Sequence, residues 1–281
     1  MVFVYRSCHD RYNTVWDSGD LGFGQLTPAD QAAVLSDVSH QDIAMGYMAA
    51  FFRQHLSGQA QWAPIFRGEW VPAAVQASDA NMKIYVQYED TVVRTVDDFE
   101  SAHTATSWQT DSLGGAVTQT GLPANPQDND LRTMDAHSPH LTGGLLLHWD
   151  NTTESLRYDI PAGQRDVSAF QAVSFRITQR VDSLSNPVNQ AQDLRLTLTD
   201  GGGNSRAIRI SKIAEIPYPS VRGFDFLTKS AMCTVRIPLA AYTIHCYNVT
   251  QVDITNITSL QFDFAEKPTG EIEIDSIQFT N

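Results

Sequence analysis

One histidine lies in a sequence setting that suits acid–base chemistry. His9 follows the short apolar run 2–5 and stands beside Cys8. A neutral imidazole accepts a proton near neutral pH, so a histidine on such a loop can act as a general base when a nucleophile lies within reach. Cys8 is a weak candidate for that nucleophile, because adjacent side chains at a strand end point apart. The sequence contains no G-x-S-x-G nucleophile motif, so the alternative is a polar loop histidine without a catalytic role.

Three carboxylates form a second candidate site. Asp98 and Glu100 flank Phe99 at the start of a predicted strand, and Asp275 interrupts the alternation of the last strand. Carboxylate oxygens together with backbone carbonyls suit a hard cation such as Ca²⁺. The three residues are therefore predicted calcium ligands if the first and last strands meet. The alternative is that they are solvated carboxylates that protect a sheet edge from aggregation.

Aromatic side chains form the third candidate site. Sugar rings stack on exposed aromatic rings, and Trp149, Tyr218 and Phe224 are available for such a platform. Tyr218 and Phe224 belong to a long loop rich in proline and glycine, residues 217–226, where function often resides. Trp149 ends an apolar run, and the alternative for a tryptophan in a strand is burial in the core.

The N-terminal residues are predicted to form part of an α/β domain. The apolar run 2–5 predicts a strand of a buried parallel sheet, and helix-start signals occur at Thr27 and at Ser39. The second helix, residues 41–56, is predicted to bury Tyr47, Met48 and the neighbouring apolar side chains. One strand and two helices cannot cover these faces alone. Residues 1–77 are therefore predicted to complete a sheet domain whose other strands lie on a missing portion or a second chain.

Residues 82–281 are predicted to form a β-sandwich. Short alternating segments recur between turn signals, the first of them at residues 83–88 and the clearest turn at residues 200–204. In the last strand the apolar phase shifts after Ile274, which predicts a β-bulge at Asp275 and Ser276. The strand that starts at Val96 and the last strand are predicted to close one sandwich.

Composition narrows the classes of function. The chain has 281 residues and a formal net charge of -13, which argues against nucleic acids and anionic membrane surfaces as partners. No apolar run is long enough to span a bilayer. Three cysteines are present, and Cys233 and Cys246 could form a disulfide in an oxidising compartment.

The N-terminal pattern resembles the end of a bacterial α/β-hydrolase. The resemblance is carried by a strand, a loop in which His9 precedes Asn-Thr-Val-Trp at residues 13–16, and a capped helix that ends in residues 51–58. It covers about the first fifth of the chain. It implies that His9 is the general base of a serine hydrolase of the esterase or lipase kind. The nucleophile motif and the oxyanion loop of that family are absent from this sequence.

The larger part of the chain resembles galactose-binding-like jelly rolls, which include the carbohydrate-binding modules of secreted enzymes. Residues 96–100, 235–239 and 270–277 carry this resemblance. It implies a mainly β, jelly-roll fold, a glycan or polymer ligand, a structural Ca²⁺ where the first and last strands meet, and a secreted or periplasmic location.

The function predicted from the sequence is that of the non-catalytic accessory part of a secreted serine hydrolase. The chain alone is expected to be inactive, and the partner is an N-terminal catalytic portion or a second chain. Two alternatives remain open: a standalone carbohydrate-binding or adhesion module, and an active hydrolase. In the second alternative the nucleophile comes from a missing N-terminal region or another chain, or Cys8 acts with His9.

Overall fold

The computed structural model describes residues 1–8, 10–14, 34–78, 82–219, 229–244 and 251–281. These residues form two compact units, an N-terminal unit up to Tyr88 and a sandwich unit from Glu89 onward. No helix of the described residues is long and apolar enough to cross a membrane. The predicted helix that begins at Thr27 lies outside the described residues.

The strands of the N-terminal unit form an antiparallel ribbon. Strand β1, Val2–Val4, pairs with β2, Ile84–Val86, in the register Val2 to Val86 and Val4 to Ile84. The predictions of a parallel sheet for the first strand and of a sandwich position for residues 83–88 are therefore wrong. Both segments are short apolar runs, and such runs do not reveal their partner or its direction.

The longest helix of this unit is α1, Asp37–His55. Its N-cap is Ser36, whose side chain accepts a hydrogen bond from the backbone N–H of Ser39. Two shorter helices follow, α2 (Ala63–Phe66) and α3 (Ala73–Ser78). Ile43, Tyr47 and Ala50 of α1 lie in a buried apolar cluster. The predicted burial was correct for Tyr47 but wrong for Met48, which is 57% exposed. Phe51, Phe52 and Leu56, which were predicted on the same face, are exposed as well.

The sandwich unit contains one five-stranded and one six-stranded sheet, and every strand pair that the structure describes is antiparallel. A mainly β sandwich was predicted, and the two sheets confirm this prediction. In spatial order the five-stranded sheet consists of β10 (Ser205–Arg209), β9 (Arg195–Asp200), β12 (Ile257–Asp263), β7 (Ser155–Asp159) and β4 (Val117–Thr120).

The six-stranded sheet contains both ends of the sandwich unit. In spatial order it consists of β11 (Cys233–Pro238), β8 (Ala172–Gln179), β13 (Gly270–Thr280), β6 (Gly143–Trp149) and β5 (Gln127–Asp130), with β3 (Val93–Asp97) paired to β13. The predicted closure of the sandwich by its first and last strands is confirmed by this pairing of β3 with β13. Two short helices, α4 (Leu131–Met134) and α5 (Ala240–Thr243), lie between strands.

The last strand contains the predicted bulge. The register of β13 against β8 shifts between Asp275 and Gln278, and Ser276 adopts a left-handed backbone conformation with a φ of 52°. The shift lets Ile274 and Ile277 both point inward, and both are buried. The change of apolar phase in the sequence therefore has the predicted structural cause.

The sandwich core lies between the inner faces of the two sheets. The ring of Phe175, from the six-stranded sheet, meets that of Phe262, from the five-stranded sheet, at 5.1 Å in an edge-to-face arrangement. Trp149 is fully buried and stacks on Phe264 with ring centroids 4.6 Å apart. Its indole N–H donates to the backbone carbonyl of Lys267.

Candidate functional site

The centre of the outer face of the six-stranded sheet is buried. Outward side chains near its centre include Ser174, Thr178, Leu146 and Glu273, and each is at most 3% exposed. A polymer cannot reach side chains that are covered in this way. The other outer face is therefore the one that can receive an extended ligand.

The outer face of the five-stranded sheet is open and polar. Its side chains form rows across the strands, and the central row crosses all five: Thr118, Arg157, Gln261, Thr197 and Ala207. A second row consists of Asp159, Ser259, Thr199 and Ser205. A third row consists of Thr120, Ser155, Asp263, Arg195 and Arg209. These fourteen positions are hereafter the open face, and all except Ser155 and Ser259 are half-buried or exposed.

The open face exists because its strands alternate strictly. In β9, Leu196 and Leu198 point into the core, and Arg195, Thr197 and Thr199 between them point outward. In β12, Leu260 and Phe262 are fully buried, and Gln261 and Asp263 point outward. The core thus determines which side chains form the open face.

Hydrogen bonds hold the central side chains of the open face in place. The Nε–H of Arg157 donates to an oxygen of Asp159 at 2.8 Å. Asp263 accepts from the amide of Gln261 and from the hydroxyl of Thr197, each at 2.5 Å. Groups fixed in this way lose less conformational entropy when a ligand binds.

The charges at the end of the open face are paired. Glu266 accepts from the Nε–H of Arg195 and forms an ion pair with Arg209, whose Nε lies 3.0 Å from the other carboxylate oxygen. Arg209 also donates to Asp193 at 2.5 Å, and this bond raises the pKa of the guanidinium. Because the arginines face carboxylates, the open face presents fixed donors and acceptors rather than a strong field of one sign.

The open face holds no aromatic side chain, and the predicted aromatic platform is not assembled by the described residues. Trp149 ends a strand whose alternate residues point inward, and its side chain is in the core. Its predicted contact with a ligand is therefore wrong. Tyr218 is half-buried in a loop, and burial raises the pKa of its hydroxyl. Phe224 lies outside the described residues.

The predicted calcium ligands are only partly brought together. Glu100 accepts from the backbone N–H of Gly143 at 3.0 Å, and Asp275 accepts from the hydroxyl of neighbouring Thr142 at 3.0 Å. Asp98 instead accepts from the hydroxyl of Ser112 at 2.8 Å. The described residues contain no group of three or more metal-ligating side chains placed to share one ion.

Asp275 already has a cationic neighbour. It is 1% exposed and forms a short ion pair with Arg176. Burial raises the pKa of Asp275, whereas Arg176 and the hydroxyls of Ser276 and Thr142 oppose that shift.

His9, the predicted general base, lies outside the described residues. Next to it, the backbone N–H of Cys8 donates to Nε2 of the buried His40 at 3.0 Å. Nδ1 of His40 lies 2.8 Å from the carbonyl of Ser36, so both ring nitrogens have a backbone partner.

Cys233 is a free, buried thiol, and its possible partner Cys246 lies outside the described residues. Burial raises the pKa of Cys233 to about 12, so the thiol is an unreactive core side chain.

Sequence reasoning missed the open face, although a signal for it was present. Polar residues alternate with leucine or phenylalanine in residues 195–200 and 257–263, and they are the outward positions of two central strands. Two adjacent strands with this pattern predict a polar surface. Alternation in the sequence does not show, however, that these two strands are adjacent in the sheet.

Comparison with known proteins finds distant structural neighbours. No protein-family model and no curated protein matches the chain. A family 11 carbohydrate-binding module of a cellulosomal cellulase of Clostridium thermocellum is 16% identical, with a TM-score of 0.43 over 69% of this chain and 96% of that one. A CBM22 xylan-binding domain from Paenibacillus barcinonensis is 11% identical, with a TM-score of 0.38 over 69% and 97% of the two chains.

An exo-β-agarase is also similar, at 14% identity and a TM-score of 0.44 over 66% of this chain, which spans only 25% of that protein. Similarity at this level identifies neither a ligand nor a binding residue of this chain.

Proposed function

We propose that the sandwich unit is a carbohydrate-binding module and that the open face binds an extended polysaccharide. The observation that carries this proposal is the central row, Thr118, Arg157, Gln261, Thr197 and Ala207, which crosses five strands on the accessible side of the sandwich. Sugars present many hydroxyls, and each hydroxyl both donates and accepts. Guanidinium, amide, carboxylate and hydroxyl groups at fixed positions are suitable partners.

The spacing of the central row favours a linear ligand that lies across the strands. Neighbouring strands are about 4.8 Å apart, so successive side chains of the row are placed at intervals comparable to one sugar unit of an extended chain. Ala207 and the threonines leave room at the ends, whereas Arg157 and Gln261 supply donors near the centre.

The pairing of charges favours a neutral polysaccharide. Arg195 and Arg209 already face Glu266, and Arg157 already faces Asp159. A uronic or sulfated polymer would have to compete with these carboxylates for the guanidinium groups, and the chain as a whole carries a net charge of -13.

Affinity electrophoresis of the whole chain in gels that contain neutral or acidic polysaccharides tests the proposed function. We expect that at least one neutral polysaccharide retards migration relative to a non-binding reference protein. Absence of retardation by every neutral polysaccharide, or retardation by acidic ones alone, would contradict the proposal.

Calcium binding is a second part of the proposal. Glu100 accepts from Gly143 and Asp275 accepts from the adjacent Thr142, and the backbone of Phe99 lies directly against Gly143. A hard cation held there by two carboxylates and backbone carbonyls would tie β3 to β13, a structural role only. The residues fit such an ion only in part. Arg176 already pairs with Asp275, and Asp98 accepts from the hydroxyl of Ser112 instead.

Thermal unfolding with Ca²⁺ or with EDTA tests the calcium proposal. We expect Ca²⁺ to raise Tm by about 5 °C, because a ligand of the native state alone stabilises that state. The rise should disappear in Asp275→Asn and persist in Asp150→Asn, which changes an exposed carboxylate just beyond the other end of β6. An equal Tm in Ca²⁺ and in EDTA would rule the site out.

Attachment to a serine hydrolase is also proposed, on the resemblance of the sequence around His9 to the end of an α/β-hydrolase. In such an arrangement the open face would hold the enzyme on a polymer, and the chain alone would not turn over esters. Hydrolysis of p-nitrophenyl esters by the pure chain, lost in His9→Ala, would contradict this part. The alternative of a standalone binding or adhesion module needs no catalytic partner and uses the same open face.

A further inference from the structure

Helix α1 is apolar on two opposite sides. One side contributes Ile43, Tyr47 and Ala50 to the buried cluster of the N-terminal unit. The opposite side carries five exposed apolar residues, hereafter the exposed stripe: Val38, Met45, Met48, Phe52 and Leu56. Their side chains are between 48% and 76% exposed. The buried side is covered within the unit, whereas the opposite side leaves a row of apolar side chains in contact with solvent.

The spacing of the exposed stripe is that of a helix-pairing seam. Its residues follow one another at intervals of seven, three, four and four positions, so they lie on one narrow strip of the helix surface. This is the pattern with which one helix packs lengthwise along another. Contiguous exposed apolar surface of this kind marks an interaction site.

The charges beside the exposed stripe indicate what covers it. Asp37 and Asp42 lie in the N-terminal part of α1, and Arg53 and His55 lie in its last turn. Asp42 and Arg53 are on the same flank of the exposed stripe, because they are eleven residues, or about three helical turns, apart. In an antiparallel pair of identical helices, Asp42 of each copy comes beside Arg53 of the other. A parallel pair would place like charges together.

We propose that the exposed stripe is a homodimer interface, in which the α1 helices of two copies of this chain pack antiparallel about a twofold axis near Met48. A twofold interface must be self-complementary, and a helix with acids at one end and bases at the other is self-complementary when antiparallel. The guanidinium of Arg53 packs over the ring of Trp62, with its central carbon 4.8 Å from the ring centroid, and this contact restricts the position of the arginine. This interface is independent of the open face.

Analytical ultracentrifugation of the whole chain tests the dimer. At about 50 μM we expect twice the monomer mass for the unmodified protein and the monomer mass for Met48→Glu, a loss of at least tenfold in affinity. Because Met48 is exposed, the variant should keep the circular dichroism and Tm of the parent. The matched control is Leu184→Glu, which changes an exposed leucine of the sandwich unit and should leave the dimer intact.

A charge exchange separates the antiparallel pair from other arrangements. Asp42→Arg should weaken the dimer about tenfold, and adding Arg53→Asp should restore it. A monomeric parent protein, a dimer that survives Met48→Glu, or a failure of the double exchange to restore the dimer would each overturn the proposal. A monomer whose exposed stripe binds a different polypeptide would overturn it as well.

Discussion

Glu273→Gln is expected to raise Tm at about pH 8 by roughly 5–10 °C and to change it little at about pH 5. Glu273 lies in the middle of β13, opposite Leu146 of β6 and Thr178 of β8. It is fully buried, and neither of its carboxyl oxygens has a hydrogen-bond partner among the described residues. An unpaired carboxylate is costly in such a place, so the protonated form is strongly favoured.

The pKa of Glu273 is accordingly raised from 4.5 to about 9, chiefly by burial. The neighbouring carboxylates of Asp135 and Glu271 raise it further, and Arg180 lowers it. In the folded chain the group therefore holds its proton over a pH range in which the unfolded chain has lost it. Since the folded state binds more protons there, the free energy of unfolding falls as pH rises.

The fall amounts to about 1.4 kcal/mol per pH unit between the two pKa values. Glutamine has nearly the same shape and no charge, so it removes this slope without opening a cavity. At about pH 5 little of the loss has accumulated, whereas at about pH 8 the variant should gain roughly 3 kcal/mol or more over the parent.

Differential scanning calorimetry at the two pH values measures this effect. The matched control is Glu271→Gln on the same strand, since Glu271 is half-buried and its carboxylate pairs with Arg180 at 2.8 Å. The control should show no gain that grows with pH. A Tm of Glu273→Gln that equals or falls below that of the parent at about pH 8 would show that the carboxyl is satisfied in solution.

Arg157→Ala combined with Gln261→Ala is expected to lower polysaccharide affinity by about 100-fold. Both residues belong to the central row and lie opposite each other in β7 and β12. Each donates hydrogen bonds, and Arg157 adds the greater strength of a charged donor. Each single variant should lose about tenfold, so the expected loss of the double variant is the sum of the two single free-energy losses.

Isothermal titration calorimetry with the polysaccharide found by electrophoresis measures this loss. Arg132→Ala is the matched control, because Arg132 is exposed in α4, away from the open face. Unaltered binding in the double variant would mean that the polysaccharide binds elsewhere. A loss in both the double variant and the control would indicate non-specific attraction to positive charge.

The strands of the sandwich could be predicted where the alternation of apolar and polar residues lies within one short segment of the sequence. The phase change after Ile274 requires one extra residue if both apolar sets are to face inward, and the structure has the bulge at that point. The pairing of β3 with β13 followed from the two strands that bound the sandwich in sequence. Alternation determines which residues point inward, so the inward side of the strands was predictable.

What covers an outward side chain could not be predicted, since that depends on contacts distant in sequence. Alternation places Glu273 outward, yet the outer face of its sheet is buried. Trp149 was predicted to contact a ligand because Phe264, which stacks on it, is far along the chain. In α1 both sides are apolar, so periodicity alone could not choose between Tyr47 and Met48 as the buried one.

Nuclear magnetic resonance of side-chain N–H groups during titration with an oligosaccharide tests the binding face most directly. We expect the amide signals of Gln261 and the Nε–H signals of Arg157 and Arg195 to shift and saturate together. The indole signal of Trp149, which is buried and bonded to Lys267, should stay in place. Saturable binding that shifts the indole signals of Trp62 or Trp70 and leaves Gln261 and Arg157 unchanged would contradict the account.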